Sequence, residues 1–399
     1  MASVPYMPLK EDELATRSGT HWRRPGPTPD RVCLMIGQLG LGGAEKQIAL
    51  LARELNERGI RTDLLVMFRR GPREAEVRGS GVKIVDLGFQ GRRPLLRGLT
   101  ANVRAFCRLV RYLRRTRPQI LQAFLFHSYL TAAPAARLAR VPVLVAGRRS
   151  LGDYKKDHHL ALAAERLATR WTDSVVANAQ AVADDVRRNE GVPASKITVI
   201  PNGMPPRDFE QAPAAEVATT LPLVVCVANL AAHKGHRYLL EACALLRSRG
   251  RDCTLVLIGN GPTRTALKEQ AQRLGIDARF LGARTDVARF LARADVVVLP
   301  SLHEGCSNAV MEALAAGRPV VATSVGGTPE LLRGHGVLVR PADAEALANG
   351  VQHLLENREF AEELGRQGRA WARANLSVEA MTDRYVSLYR ELLERRCAA

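Results

Sequence analysis

No run of 18 apolar residues occurs in the 399-residue chain, so no segment is expected to cross a bilayer as a helix. The first 30 residues also lack the apolar core of a secretory signal. They hold Pro5, Pro8, Pro25, Pro27 and Pro29 among scattered charges, and residues 1–29 read as a mobile tail. Cysteine is sparse. The seven cysteines form no CxxC pair and no metal-ligand spacing, which excludes a disulfide framework or a zinc module and suits a reducing, cytoplasmic setting. Acidic residues are missing from Gly91 to Pro118, where nine arginines stand.

What is present is ordinary globular composition, 46% hydrophobic and 25% charged, in a chain long enough for two domains. The formal charge is +18, and it is unevenly spread. Residues 1–200 carry 34 Lys and Arg against 18 Asp and Glu, whereas residues 201–399 carry 24 against 22. The first half is therefore expected to meet something anionic: nucleic acid, anionic lipid or a phosphorylated substrate.

Hydrophobic periodicity gives the layout. RVCLMIG (31–37) reads as a buried strand, GLGGAE follows, then the amphipathic helix KQIALLARELNERG and the strand TDLLVMF (62–68). Strand, glycine turn, helix and strand make the βαβ unit of a parallel sheet. KIVDL (83–87), QILQAFLF (119–126), VPVLVAG (141–147), SVVAN (174–178) and KITVIPNG (196–203) continue it. The rhythm restarts with LPLVVCVANL (221–230), TLVLIG (254–259), ARFLG (278–282), DVVVLP (295–300) and PVVAT (319–323). The fold class is α/β, with two Rossmann-like doubly wound domains facing a central cleft. Ligands are expected beyond the carboxyl ends of the strands. The expected boundaries are 30–203 for the first domain, 204–216 for a Pro-rich linker and 217–378 for the second domain. A terminal helix at 379–399 is expected to pack back on the first.

SLHEGCSNAVMEALAAGRPVV (301–321) keeps Glu304 and Glu312 eight residues apart in a small, apolar setting. A loop from Ser301 to Gly305 leads into a helix capped by Ser307 or Asn308. Its unpaired N–H groups favour an anion. A nucleotide-diphosphate sugar fits this order, with ribose at Glu312, diphosphate at the helix start and sugar at Glu304. For an isolated pair, two solvated surface glutamates would be the simpler alternative.

Extended to SLHEGCSNAVMEALAAGRPVVATSVGGTPEL, the stretch resembles the donor-binding signature of the family 4 retaining glycosyltransferases, which have the GT-B fold. GLGGAEKQIALLARELNERG, KITVIPNGM and FLGARTDVARFLARADVVVLPS are similar to the same family. The resemblance implies that Glu304 contacts the transferred sugar and Glu312 the ribose. It implies that Gly42 and Gly43 admit the diphosphate and the reacting centre, and that Lys234, in HKGH, binds the diphosphate. Asn229, Gly305, Cys306, Ser307 and Asn308 complete the implied donor set, and Arg284 lies where the backbone holds the base. His127 is the implied third catalytic residue beside Glu304 and Lys234, and His127, Arg148 and Arg149 are placed on the acceptor side. The chain departs from the family pattern at Asn229, where an arginine is common, at Phe124, where a histidine is common, and at Met204, where an acid usually follows NG.

The implied activity is metal-independent, retaining transfer of a hexose from a nucleotide-diphosphate sugar such as a UDP-sugar. The acceptor would be a hydroxyl of a glycan or lipid-linked intermediate in cell-surface polysaccharide or glycolipid biosynthesis. No two aspartates stand at i and i+2, so the Asp-x-Asp pair of metal-dependent sugar transferases is missing. No cofactor is expected beyond the donor. The alternatives are a phosphorylase or nucleotide-sugar epimerase of the same fold, or a non-catalytic nucleotide-binding protein. Within residues 91–118, Leu95, Leu99, Val103, Phe106, Val110 and Leu113 are expected on one helical face, opposite Arg97, Arg104, Arg108, Arg111 and Arg115. That pattern fits a helix lying on the anionic inner face of the plasma membrane, or a packed helix with a solvated cationic face. No nucleic-acid-reading module is visible.

Overall fold

The computed structural model describes residues 28–69, 71–90, 95–152 and 159–398. Seven strands form the first sheet: β1 (Arg31–Gln38), β2 (Arg61–Arg69), β3 (Lys83–Asp86), β4 (Ile120–Phe124), β5 (Val143–Arg148), β6 (Ser174–Ala177) and β7 (Ile197–Val199). All pairs are parallel, in the order β3-β2-β1-β4-β5-β6-β7. Six strands form the second: β8 (Leu223–Val227), β9 (Thr254–Ile258), β10 (Ala278–Gly282), β11 (Val296–Leu299), β12 (Val320–Thr323) and β13 (Val337–Val339). They too are parallel, in the order β10-β9-β8-β11-β12-β13. Strands such as TLVLI and ILQAF are buried at every position, as a sheet covered on both faces requires.

Helices supply the cover. In the first half they are α1 (Gly43–Glu57), α2 (Glu74–Val77), α3 (Leu95–Thr116), α4 (Phe126–Ala139), α5 (His159–Arg170) and α6 (Gln180–Asp185). In the second they are α7 (His236–Ser248), α8 (Arg264–Leu274), α9 (Val287–Arg293), α10 (Asn308–Ala315), α11 (Thr328–Leu332), α12 (Ala344–Glu356) and α13 (Arg358–Asn375). The last helix, α14 (Val378–Cys397), buries Val378, Met381, Tyr385, Tyr389, Leu392 and Leu393 with α1 on one face of the first sheet. On the other face α3 and α4 pack with Ala168 of α5. The Tyr389 hydroxyl reaches through to the Gln122 side chain of β4. The chain passes between the domains twice, and the two passages are bonded together. Met204 N–H donates to Leu376 O at 2.8 Å, and Val378 N–H donates to Met204 O at 2.9 Å.

Some expectations change. The strand expected over 119–126 ends at Phe124, because Leu125 takes φ 69° and α4 begins at once. The strand expected over 196–203 is only three residues long. Residues 1–27 of the expected tail, and 91–94 of the arginine-rich segment, lie outside the described residues. The side chains of Leu95, Arg97 and Leu99 do so too.

Of the two expectations for α3, the structure shows the packed helix with a solvated cationic face, except at Val103. Ala105, Leu109 and Leu113 are buried in the first core, with Phe106 and Val110 packed against it, while Val103 is 54% exposed. The apolar stripe therefore faces the sheet, not the solvent. Core packing has taken the stripe, and the exposed side carries Arg104, Arg108, Arg111, Arg114 and Arg115. Truncating Leu109 to Ala is therefore expected to cost about 2–5 kcal/mol, and Val103→Ala no more than about 0.5 kcal/mol. Urea unfolding followed by circular dichroism checks the contrast.

Candidate active site

In each sheet the strand order reverses between two central strands, β1 and β4 in one and β8 and β11 in the other. Side chains and loops at the carboxyl ends of these four strands converge between the domains. That is the crevice a doubly wound sheet opens to ligands.

The second domain gathers seven of the expected residues around one loop and helix start. β11 ends at Leu299, and the following loop carries Ser301 and Glu304. Glu304 is 8% exposed. Its Oε1 accepts from Lys234 Nζ at 2.5 Å and from Ser301 Oγ at 2.8 Å. Lys234 stands in the short turn after β8, just before α7. Ser307 is the cap of α10, its Oγ accepting from Val310 N–H at 3.4 Å. Asn308 opens that helix and Glu312 lies one turn further on. Gly305 O accepts from Gly327 N–H at 2.8 Å, which locks the glutamate loop to the GG turn before α11. Cys306 is half-buried beside Met311, its Sγ 3.9 Å from the thioether.

The first domain meets this surface closely. Gly42 is the cap of α1 and Gly43 its first residue. A Cβ on Gly43 would lie 2.4 Å from Asn308 Nδ2, and one on Gly305 would lie 2.6 Å from the Arg149 carbonyl. At Gly305 the neighbour is backbone and cannot give way, so only glycine fits there; at Gly43 the neighbour is the end of a side chain, which a methyl group would push aside. Polar bridges cross at the same level. Asn202 donates to Asn308 Oδ1 at 2.9 Å, and the Glu330 carboxylate accepts from the Gln180 and Ala181 N–H groups at 2.7 and 3.0 Å. Glu330 therefore supplies acceptors that the start of α6 lacks.

The sequence reading missed one cluster. Lys46, one turn into α1, donates to Glu312 Oε1 at 2.7 Å and to Asp208 Oδ2 at 2.9 Å. Burial favours the neutral amine, but the two carboxylates outweigh it and hold the lysine pKa above its ordinary value. A signal existed: a cation in the first turn of a helix opposes the macrodipole, so Lys46 needed a reason to be there.

Other expected residues lie elsewhere. Arg148 does not face the cleft. It is 5% exposed, donates to Glu190 at 3.1 and 2.8 Å, pairs with Glu165 at 3.4 Å and lies under the Tyr129 ring. The alternation of a strand explains this: Arg148 turns into the α4–α5 layer and Arg149 toward α14. Arg149 donates to Asn202 Oδ1 at 2.8 Å and to the Tyr385 hydroxyl at 2.5 Å, and lies over the Phe124 ring. It ties these elements together. His127 is exposed in the first turn of α4, edge-on to Phe68 and Phe126. It makes no hydrogen bond to the glutamate loop among the described residues. Asn229 is exposed after β8. Arg284 is held by Asp286 at 2.8 and 2.7 Å.

The chain matches two families in tandem: "Glycosyltransferase Family 4" over residues 41–208 and "Glycosyl transferases group 1" over residues 221–357. It is 27% identical over 387 residues to the 2-deoxystreptamine glucosyltransferase of Streptomyces kanamyceticus, covering 87% of this chain and 98% of that one. It is 28% identical over 360 residues to the lipopolysaccharide core biosynthesis glycosyltransferase LpsE of Rhizobium meliloti, covering 87% and 95%. Its backbone is similar to that of HepE from Anabaena, solved in complex with UDP-glucose. The TM-score is 0.77 at 21% identity, covering 92% of this chain and all of that one.

Beside Lys234, His236 is 2% exposed and neither ring nitrogen has a partner among the described residues. Burial first, and then the charges of Lys234 and His233, lower its pKa to about 4. Unfolded, the ring takes a proton below its ordinary value of 6.5, so in this window the unfolded state binds more protons. Stability should fall as pH drops from about 6.5 to about 4, by roughly 3 kcal/mol from this group. His236→Gln should flatten that decline in urea titrations run across the window.

Proposed function

Because the chain belongs to the group 1 and family 4 glycosyltransferases, we propose that it moves a sugar from a nucleotide-diphosphate donor to an acceptor hydroxyl with retention at the anomeric carbon. The observation that carries this reading is the pair of cleft carboxylates on either side of one helix start. Glu304 is buried before α10 and Glu312 lies one turn into it. Ribose hydroxyls need acceptors, which Glu312 supplies. The diphosphate needs donors, which the amino terminus of α10 and the Lys234 ammonium supply. Lys234 has three N–H donors, so it can keep Glu304 and still reach a phosphate oxygen. Glu304 is left for the sugar.

In the proposed step the bond from the anomeric carbon to the diphosphate oxygen breaks, and a bond to the acceptor oxygen forms on the same face. The acceptor proton passes to the departing diphosphate. Lys234 and the helix start stabilise the charge that develops there without a divalent ion. The donor is taken to be a UDP-sugar, in keeping with the UDP-glucose complex of HepE. Glu312→Ala should weaken nucleotide binding by about 1–3 kcal/mol, while Glu304→Ala should mainly lower turnover. Turnover should survive EDTA, and NMR of the product should find the donor's anomeric configuration kept. An inverted product, a strict metal requirement, or unchanged turnover in Glu304→Ala would each defeat the proposal.

The acceptor is proposed to be a glycan or lipid-linked intermediate of surface polysaccharide or glycolipid assembly, met at the inner face of the plasma membrane. Support comes from the basic first half of the chain and the exposed arginines of α3. Among the described residues no helix is long and apolar enough to cross a membrane. Since the α3 stripe is spent on the core, attachment would rest on charge and weaken with salt. Changing Arg104, Arg108 and Arg111 to Glu should release the protein from vesicles containing phosphatidylglycerol at low salt. Co-sedimentation that is equal for wild type and variant would remove the membrane from the proposal.

A further inference from the structure

We infer that Lys46 is a positioning residue for the donor. It holds Oε1 of Glu312 to the first domain, so that Oε2 is left to accept from the ribose hydroxyls and donor binding is tied to the docking of the two domains. The inference rests on the ribose role proposed above for Glu312.

Nothing local to α1 calls for a cation at Lys46. The first turn of a helix repels positive charge, and burying an ammonium is costly unless it is paired. The side chain is nonetheless only 15% exposed. What offsets the cost lies outside the helix and outside the first domain. Glu312 belongs to α10 of the second domain, and Asp208 to the short turn Pro206–Phe209 between the domains. One ammonium therefore joins three pieces of chain that the cleft separates.

The chemistry of Glu312 points the same way. Its Oε1 is taken by Lys46 and its Oε2 has no partner among the described residues. The side chain keeps 26% exposure, so a ligand in the cleft can reach it. Two carboxylates share the ammonium, at 2.7 and 2.9 Å. Without Lys46 they would face each other uncompensated, and repulsion would push Glu312 off its position and favour its protonation. Lys46 thus acts on the donor through Glu312, while Lys234 and Glu304 serve the diphosphate and the sugar from the other side of the α10 start.

The test measures binding of UDP, GDP and ADP by calorimetry to wild type and to the K46A, K46R, E312A and K46A/E312A variants. K46A is expected to weaken the preferred diphosphate about tenfold. In the E312A background the same change should cost less than twofold, because the group through which it acts is gone. K46R keeps the charge and should bind within about threefold of wild type, which separates positioning from a folding defect in K46A. Full additivity of K46A and E312A, a K46A affinity within twofold of wild type while E312A is weakened, or a K46R loss as large as that of K46A would overturn the inference. If E312A alone binds as tightly as wild type, the ribose role of Glu312 is what fails, and Lys46 loses its object with it.

Discussion

Where Gly305 meets the Arg149 carbonyl, the two domains leave no room for a side chain. There the loops at the carboxyl ends of the two sheets come within backbone distance, and nearby Gly43 lies against the Asn308 side-chain amide. Other contacts cross the cleft near these approaches. They include the Asn202–Asn308 bond, the Glu330 cap on α6 and the Lys46 cluster. A methyl group at Gly305 would act as a wedge against backbone, and polar groups that need separations near 3 Å would be parted.

The same closeness concentrates charge. Glu304, Glu312, Lys234 and Lys46 all sit around the start of α10, with each carboxylate bound to an ammonium. A buried ion pair adds little net stability, since desolvation nearly cancels attraction. What such pairs fix is geometry. Oε1 of each glutamate is committed to a lysine, and the ligand-facing chemistry of the cleft is what remains.

Much of the architecture was legible because parallel strands buried on both faces leave continuous apolar runs. β1, β8, β9 and β11 stand out from the sequence for that reason. Strand ends were less legible. Leu125 has positive φ, which no pattern of apolar residues announces, and it cuts β4 short. For α3 the sequence leaves a membrane surface and the core both open, because periodicity shows that a face is apolar and not what covers it; the core covers Phe106, Val110 and Leu113. Within the site, Glu304, Ser307, Asn308, Glu312 and Lys234 were legible as motifs, and the structure gathers them. Lys46, Asp208 and Glu330 were not, since their partners lie 266, 162 and 150 residues away. Arg148 and Arg149 are adjacent in sequence and alike in chemistry, but Arg148 ends β5 and turns into the α4–α5 layer, while Arg149 follows the strand and turns toward α14.

The placement of α14 has a consequence for how the protein is made. One face of the first sheet is closed by residues 378–393, after the whole second domain has been synthesised. Until those residues leave the ribosome, Leu34, Val66, Ile120 and Val145 of that face lack part of their cover. The second domain takes no residue from the amino-terminal half for its own sheet, so it has what it needs to fold first. The domain that begins the chain is the one that finishes last, an inversion of the usual order in which amino-terminal domains mature during synthesis. Contacts of such long sequence separation also slow folding, and until α14 arrives α1 covers that face without it.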